Sequence, residues 1–267
     1  MSMTNLRRSL KHWIYGSCPG FKGVFPYFGE RVYFPPGSLI FDLVMAQGIF
    51  EHGNLRLLQA AIRPNTWAYD IGANIGLMSV PLLRTESTLQ VVSVEASPHT
   101  ASYLSRTIAG SSCRDRWQLV PKALGATEGE IDFYVATGTD GVFDGLRDTG
   151  RAHNSAKIRV PLTTLDALWQ SHGCPAVSVV KIDVEGAEAD VLHGGRACLL
   201  ATRPVILLEW NRQNLVAYDC PPESLLAHAA DLNCDVLNVP GLASVTSPAS
   251  LLLQAGISET FLLVPRP

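Results

Sequence analysis

The sequence contains no apolar run approaching the roughly 20 residues that cross a membrane as a helix. It also has no Cys-x-x-Cys motif and no Cys/His pair at metal-ligand spacing. Its six cysteines (Cys18, Cys113, Cys174, Cys198, Cys220 and Cys234) are scattered over 267 residues. In so long a chain they read as reduced thiols, which points to a cytoplasmic protein. The opening stretch MSMTNLRRSLKHWIYGSCPG is basic but lacks the apolar core of a secretory signal. It is expected to be a solvated arm, with a short amphipathic helix resting on a surface or partner as the alternative. Internal repeats and low-complexity segments are missing as well. Charge is sparse: 17% charged residues and a net charge of -3 give no electrostatic case for a nucleic-acid partner. What is present, 47% hydrophobic residues in a chain of this length, suffices to bury one large core without disulfide or metal staples.

From Thr66 onward, short β-branched runs alternate with helical patterns. The segments TWAYDIG, LQVVSVE, WQLVPKALG, AVSVVKID and RPVILLEW read as strands, and CDVLNVP and ETFLLVP as the last two. Helical patterns lie between them, including one from Glu185 to about Leu200 and one opened by Pro221 and Pro222. Strands alternating with helices predict an α/β fold, a doubly wound parallel sheet with helices on both faces. EIDFYVAT and AKIRVPLTTL both alternate, which predicts a β-hairpin inserted between the third and fourth strands. Its connection, from about Gly138 to Ser155, is too long for a simple turn. Upstream, GVFPYFGERVYFPP predicts a small hairpin turning at Gly29-Glu30, followed by helices around Leu39–Phe50 and Asn54–Ile62. Residues 1–60 are taken as an N-terminal arm and cap belonging to the same unit as residues 61–267.

The stretch YDIGANIGLMS carries the most information. Asp70 ends a strand, and Gly72, Asn74 and Gly76 lie in the turn beyond it. Glycine is needed where backbone approaches a ligand or where φ is positive. The pattern is GxNxG rather than the GxGxxG of dinucleotide binding, whose second glycine leaves room for a pyrophosphate. An acidic residue just before the loop suits a cationic group such as an ammonium. The second strand ends in Glu95, whose carboxylate can accept hydrogen bonds from both hydroxyls of a ribose. Glycine turn followed by acidic strand end predicts a nucleoside site at the carboxyl ends of the strands.

DIGANIG, SVEASP, VPKALG with the hairpin, TTLD and KIDVEGAE occur in that order, and together they resemble the FkbM-type methyltransferases, a branch of the class I enzymes that use S-adenosylmethionine. The resemblance covers about Glu51 to Asn211. It implies a Rossmann-like, seven-stranded sheet whose last strand runs antiparallel, and O-methylation of a hydroxyl on a sugar, macrolide or other secondary metabolite. It further implies that Asp70, Gly72, Ala73, Asn74 and Gly76 surround the methionine part of S-adenosylmethionine. Glu95 would hold the ribose, Ala96 and Ser97 would flank the adenine, and Lys122 and Ala123 would lie near its other edge. The expected partner is a small-molecule or glycan hydroxyl acceptor, with no nucleic acid; a homo-oligomer is left open.

In VVKIDVEGAEADVL, Glu185 and Glu188 fit the first turns of a helix, where carboxylates satisfy free N–H groups and favour the positive end of the macrodipole. Asp183 ends a central strand and should face the cleft. It can position the cofactor's ammonium or the substrate, or act as general base toward the acceptor hydroxyl. Glu209, ending the next strand, is the second catalytic candidate. Asp183, Glu209 and Asn211 are also oxygen ligands compatible with Mg²⁺, but they do not cleanly reproduce the ligand pattern of metal-dependent O-methyltransferases, so no metal residue is assigned. His153, in the long hairpin loop, is the histidine placed to reach a substrate, and Phe143 in GTDGVFDGLRD is the apolar contact of a candidate lid. The competing readings are a nicotinamide-dependent oxidoreductase, disfavoured by Asn74 where a second glycine is wanted, and a cofactor-binding scaffold without catalysis.

Overall fold

The computed structural model describes residues 3–136, 144–147 and 155–267. The N-terminal stretch is not a plain arm: Met3–Ser17 forms helix α1. Strands β1 (Val24–Tyr27) and β2 (Glu30–Tyr33) pair antiparallel. The hairpin turns one residue earlier than the sequence suggested, at Phe28-Gly29, both with positive φ (48° and 82°). That is the primed turn whose twist matches the flanking strands. Helices α2 (Leu39–Gln47) and α3 (His52–Ala61) follow, and Ser38 caps the first by accepting from the Phe41 N–H at 3.0 Å.

The chain then runs β3 (Trp67–Ile71), α4 (Ser79–Thr85), β4 (Gln90–Val94), α5 (Pro98–Gly110) and β5 (Trp117–Val120). The expected third strand stops at Pro121, and its remainder, β6 (Ala123–Leu124), joins β7 (Gly129–Ala136) and β8 (Ser155–Thr163) in a separate three-stranded sheet of order β6-β8-β7. After α6 (Leu165–Ser171) and β9 (Val177–Ile182), the single helix expected from Glu185 is two, α7 (Glu188–Gly194) and α8 (Arg196–Thr202), broken at Gly195. The chain ends through β10 (Val205–Glu209), α9 (Arg212–Ala217), α10 (Ser224–Asp231), β11 (Cys234–Asn238), α11 (Pro248–Gln254) and β12 (Thr260–Pro265). The sequence pattern had not separated α9 or α11 from loops.

The main sheet has seven strands in the order β11-β12-β10-β9-β3-β4-β5. β12 runs antiparallel to both its neighbours, and the other contacts are parallel. Every residue of β9 is buried, as a central parallel strand covered on both faces requires. The period-2 alternation divides two apolar layers: Tyr69 and Ile71 pack with Val191, Leu199 and Leu215 on one face. Ala68 packs on the other with Leu83, Leu104 and the N-terminal residues Phe25, Phe41 and Leu58. Residues of the cap and of the sheet therefore share one core. Asp70 lies on the same face as Ala68 and is 1% exposed.

Strand order reverses between β3 and β9, because the chain moves outward from β3 in one direction and from β9 in the other. This is the switch point at which doubly wound sheets leave a crevice outside their carboxyl ends. No helix among the described residues is long and apolar enough to cross a membrane.

Candidate active site

A cleft of about 230 Å³ opens at that switch point. Asp70, Gly72, Ala73 and Asn74 line it from the β3 turn, Glu95 and Ala96 from the end of β4, and Lys122 and Ala123 from beyond β5. Asp183 and Glu209 complete it from the ends of β9 and β10.

The turn after β3 is forced by close packing. Gly72 has φ 73°, and a Cβ there would fall 1.7 Å from the carbonyl oxygen of Asp183. Asn74 takes the left-handed conformation (φ 49°) and aims its backbone N–H at Glu95. One oxygen of Glu95 accepts from that N–H at 2.9 Å, the other from the Ser97 N–H at 2.8 Å. Burial pushes the Glu95 carboxyl up to about 7 against those two bonds. Each oxygen keeps further acceptor capacity for a ligand hydroxyl.

Two expected cofactor contacts are not on the cleft wall. A Cβ at Gly76 would meet Leu104 and Trp117 at 2.8 Å, so this glycine serves the packing of the turn against α5 and β5. Ser97 is fully buried and acts through its backbone N–H on Glu95.

The Lys181 ammonium, at the end of β9, donates to the Gly72 carbonyl at 2.8 Å. It pairs with Asp183 at 3.0 Å and stands 3.8 Å from Asp70. Burial works against its charge, but Asp183, Asp70 and Glu51 outweigh it and hold the ammonium above the usual lysine value. Asp70 accepts from the Ser79 hydroxyl at 2.6 Å through Oδ2, while its Oδ1 is buried without a hydrogen bond among the described residues. Burial pushes the Asp70 carboxyl up, against the pull of Lys181 and Ser79. Lys181 was passed over in the sequence, although a charge inside an apolar strand signals a buried partner. Glu51, from the N-terminal cap, also lines the cleft. Burial and then Asp183 raise its carboxyl above the ordinary value, while Asn54 donates to it at 2.9 Å. No local pattern marks it.

The acidic run after β9 is organised differently from a plain helix start. Helix α7 begins at Glu188, whose carboxylate is buried and reaches back to accept from the Val184 and Gly186 N–H groups at 3.1 and 3.0 Å. Burial pushes Glu188 up to about 7. Glu185 precedes the helix in a left-handed conformation, φ 57°, accepts from the Asn214 amide at 2.7 Å and lines the cleft. Carboxylate oxygens of Asp183, Glu185 and Glu209 lie within 4.8 Å of one another. Asn211, the third ligand considered from sequence, instead caps α9 by accepting from the Gln213 and Asn214 N–H groups at 2.8 and 3.3 Å. Glu185, rather than Asn211, is the third oxygen donor gathered with Asp183 and Glu209.

None of the described histidines lines the cleft. His172 packs tilted against Trp67 at the opposite end of β3, and His228 packs edge-on against Trp210. His153 and Phe143 lie outside the described residues. In the described part of the long loop, Asp144 and Leu146 line the cleft.

The Methyltransferase FkbM domain profile matches residues 70–219. The 2-O-methyltransferase NoeI of Sinorhizobium fredii is 27% identical over 176 residues, spanning 61% of this chain and 71% of that one. Among solved structures, methyltransferase FkbM from Methylobacillus flagellatus KT overlays with a TM-score of 0.46 at 13% identity, over 78% of this chain and 50% of that chain. Precorrin-6y C5,15-methyltransferase from Geobacter metallireducens GS-15 overlays with a TM-score of 0.41 at 10% identity, over 79% and 82% of the two chains. The chain thus covers half the length of the first of these structures.

Proposed function

The chain belongs to the FkbM methyltransferase family, and on that premise we propose that it transfers a methyl group from S-adenosylmethionine to a hydroxyl oxygen of a sugar, macrolide or other secondary metabolite. The observation that carries this reading is the pairing of Asp70 and Glu95 on one cleft, at the ends of adjacent strands, with the Gly72–Asn74 turn between them. The residues present suit such a cofactor. The buried Oδ1 of Asp70 has no hydrogen bond among the described residues, stands 3.8 Å from the Lys181 ammonium and suits a further ammonium group. The Glu95 carboxylate, steadied by two backbone N–H groups, has capacity left for two ribose hydroxyls. Gly72, Ala73 and Asn74 would hold the methionine part, and Ala96, Lys122 and Ala123 the base.

When bound, S-adenosylmethionine supplies a methyl carbon activated by its sulfonium. The chain's own residues have the remaining tasks. The largest is to hold the acceptor oxygen in line, the proximity contribution. Lys181 fixes the orientation of Asp183 through their 3.0 Å ion pair, and Asp183, with Glu209 as the second candidate, would receive the hydroxyl proton as oxygen attacks. Apolar walls from Ile40, Phe50 and Leu146 keep water from competing for the position. The reading assigns no step to a metal ion. Oxygen as the methylated atom is favoured by the 2-O-methyltransferase relative.

Calorimetry with S-adenosylmethionine and, separately, with NADH tests the cofactor: heat with the first and none with the second is expected. Absence of binding to S-adenosylmethionine would overturn the reading. A methyl-transfer assay against a panel of glycosides and macrolides then separates an enzyme from a binding scaffold.

A further inference from the structure

Helix α1 is built with its apolar stripe facing away from the fold. At 3.6 residues per turn, Leu6, Leu10 and Trp13 fall within an arc of about 60°, and they are 60%, 53% and 57% exposed. The opposite face meets the protein. His12 pairs with Asp42 of α2 at 2.7 Å and lies over Phe41, with 5.3 Å between ring centroids, while Tyr15 packs on the N-terminal core. A helix resting on its own domain ordinarily turns its apolar residues inward; here the polar face is docked and the apolar face is bare.

Charge indicates what covers it. The first acidic residue of the chain is Glu30; before it stand Arg7, Arg8, Lys11 and Lys22, in a protein of net charge -3. On the helix circumference Arg7 lies about 60° beyond the edge of the apolar stripe and Lys11 about 100° beyond it, on the same side. Apolar residues including a tryptophan, flanked by cations and free of acids, match a surface with hydrocarbon beneath and negative charge at the rim. A second copy of α1 would bring the same cations against one another with no carboxylate on the helix to offset them.

We infer that α1 is an interfacial helix that seats the protein on an anionic lipid surface, its axis in the membrane plane and Leu6, Leu10 and Trp13 among the acyl chains. It lies against α2, whose Ile40 and Leu43 line the active-site cleft and whose Leu39 and Leu43 are exposed. The seat therefore adjoins the cleft, and this holds whichever acceptor is methylated.

The test is co-sedimentation of the full chain with vesicles of phosphatidylcholine alone and with about one third phosphatidylglycerol. Binding is expected to the anionic vesicles, at least about tenfold weaker to the neutral ones, and to decline at high salt. The triple variant Leu6→Gln, Leu10→Gln, Trp13→Gln should lose binding about tenfold or more. Arg7→Glu with Lys11→Glu should lose it at low salt. Both variants alter exposed side chains, so circular dichroism and Tm should match the parent and confirm folding. Failure of the parent to sediment with anionic vesicles, equal binding to neutral vesicles, or unchanged binding by the triple variant would each overturn the inference. So would a dimer in sedimentation velocity that the triple variant dissolves, in the absence of vesicle binding.

Discussion

Gly72 and Asp183, more than one hundred positions apart in sequence, are packed so tightly that a side chain at the first has no place beside the backbone of the second. A Cβ at residue 72 would lie 1.7 Å from the Asp183 carbonyl oxygen, at a φ of 73°. Gly72→Ala must therefore separate β3 from β9 at the switch point. The expected cost is about 3 kcal/mol or more, combining overpacking with left-handed strain. Thermal unfolding should show it as a lower Tm, and calorimetry as loss of cofactor binding. A variant with parental Tm would contradict the packing.

Lys181→Met removes an ammonium shared by Asp70 and Asp183. Truncating one partner of a buried ion pair leaves an uncompensated charge, and the expected loss is about 3–5 kcal/mol. The deficit should shrink as pH falls, because protonation then neutralises the stranded Asp70 carboxylate, which burial already pushes up. Denaturant unfolding across a pH series checks this. A deficit that does not change with pH would assign Lys181 a packing role only.

Glu95 and Glu188 give a second pH signature. Each titrates near 7 in the folded protein, against an ordinary value of 4.5. Below 4.5 both states hold the proton; between 4.5 and 7 only the folded state does. The stability from these groups is thus complete at low pH and is lost as pH rises through about 7. The difference between parent and Glu95→Gln unfolding free energies should carry this slope and flatten above about pH 7. Cofactor affinity of the parent should increase several-fold from about pH 6 to about pH 8, as the ionised carboxylate accepts hydroxyls, and should stay flat in the variant.

Asp183→Asn preserves size and removes the proposed proton acceptor. Cofactor affinity should stay within a few-fold while turnover falls about 10²–10⁴-fold. If turnover persists and Glu209→Gln abolishes it, the proton goes to β10 rather than β9. Chelation should leave turnover within about twofold; a loss restored by Mg²⁺ would instead make the Asp183, Glu185 and Glu209 cluster a cation site.

What was legible in the sequence was local. Asp70, Gly72 and Glu95 sit at strand ends, where period-2 burial and turn chemistry fix both their conformation and the face they present. Gly76 shows the limit of spacing, because a glycine that avoids Leu104 and Trp117 has the same spacing as one that avoids a ligand. Glu188 looked like a first-turn carboxylate and is one, but its buried oxygen holds the preceding turn closed. Glu185 was displaced from that helix by its left-handed backbone and joined the cleft instead. Glu51 was illegible because its counter-charge, Lys181, arrives only when α3 docks on the sheet. The N-terminal helix was only the alternative to a solvated arm, and nothing local told which face would be left outward.

The position of Glu51 makes cap and cleft thermodynamically reciprocal. It belongs to the segment joining α2 to α3, yet it contributes to the charge balance around Lys181 and Asp183. Any ligand that draws on that balance must also change the free energy of holding α2 and α3 in place, by the same amount as the docked cap changes the ligand's binding. Hydrogen exchange in residues 39–61 would then slow on ligand binding, although most of those amides touch no ligand. The cap would serve as a reporter of occupancy as well as a wall.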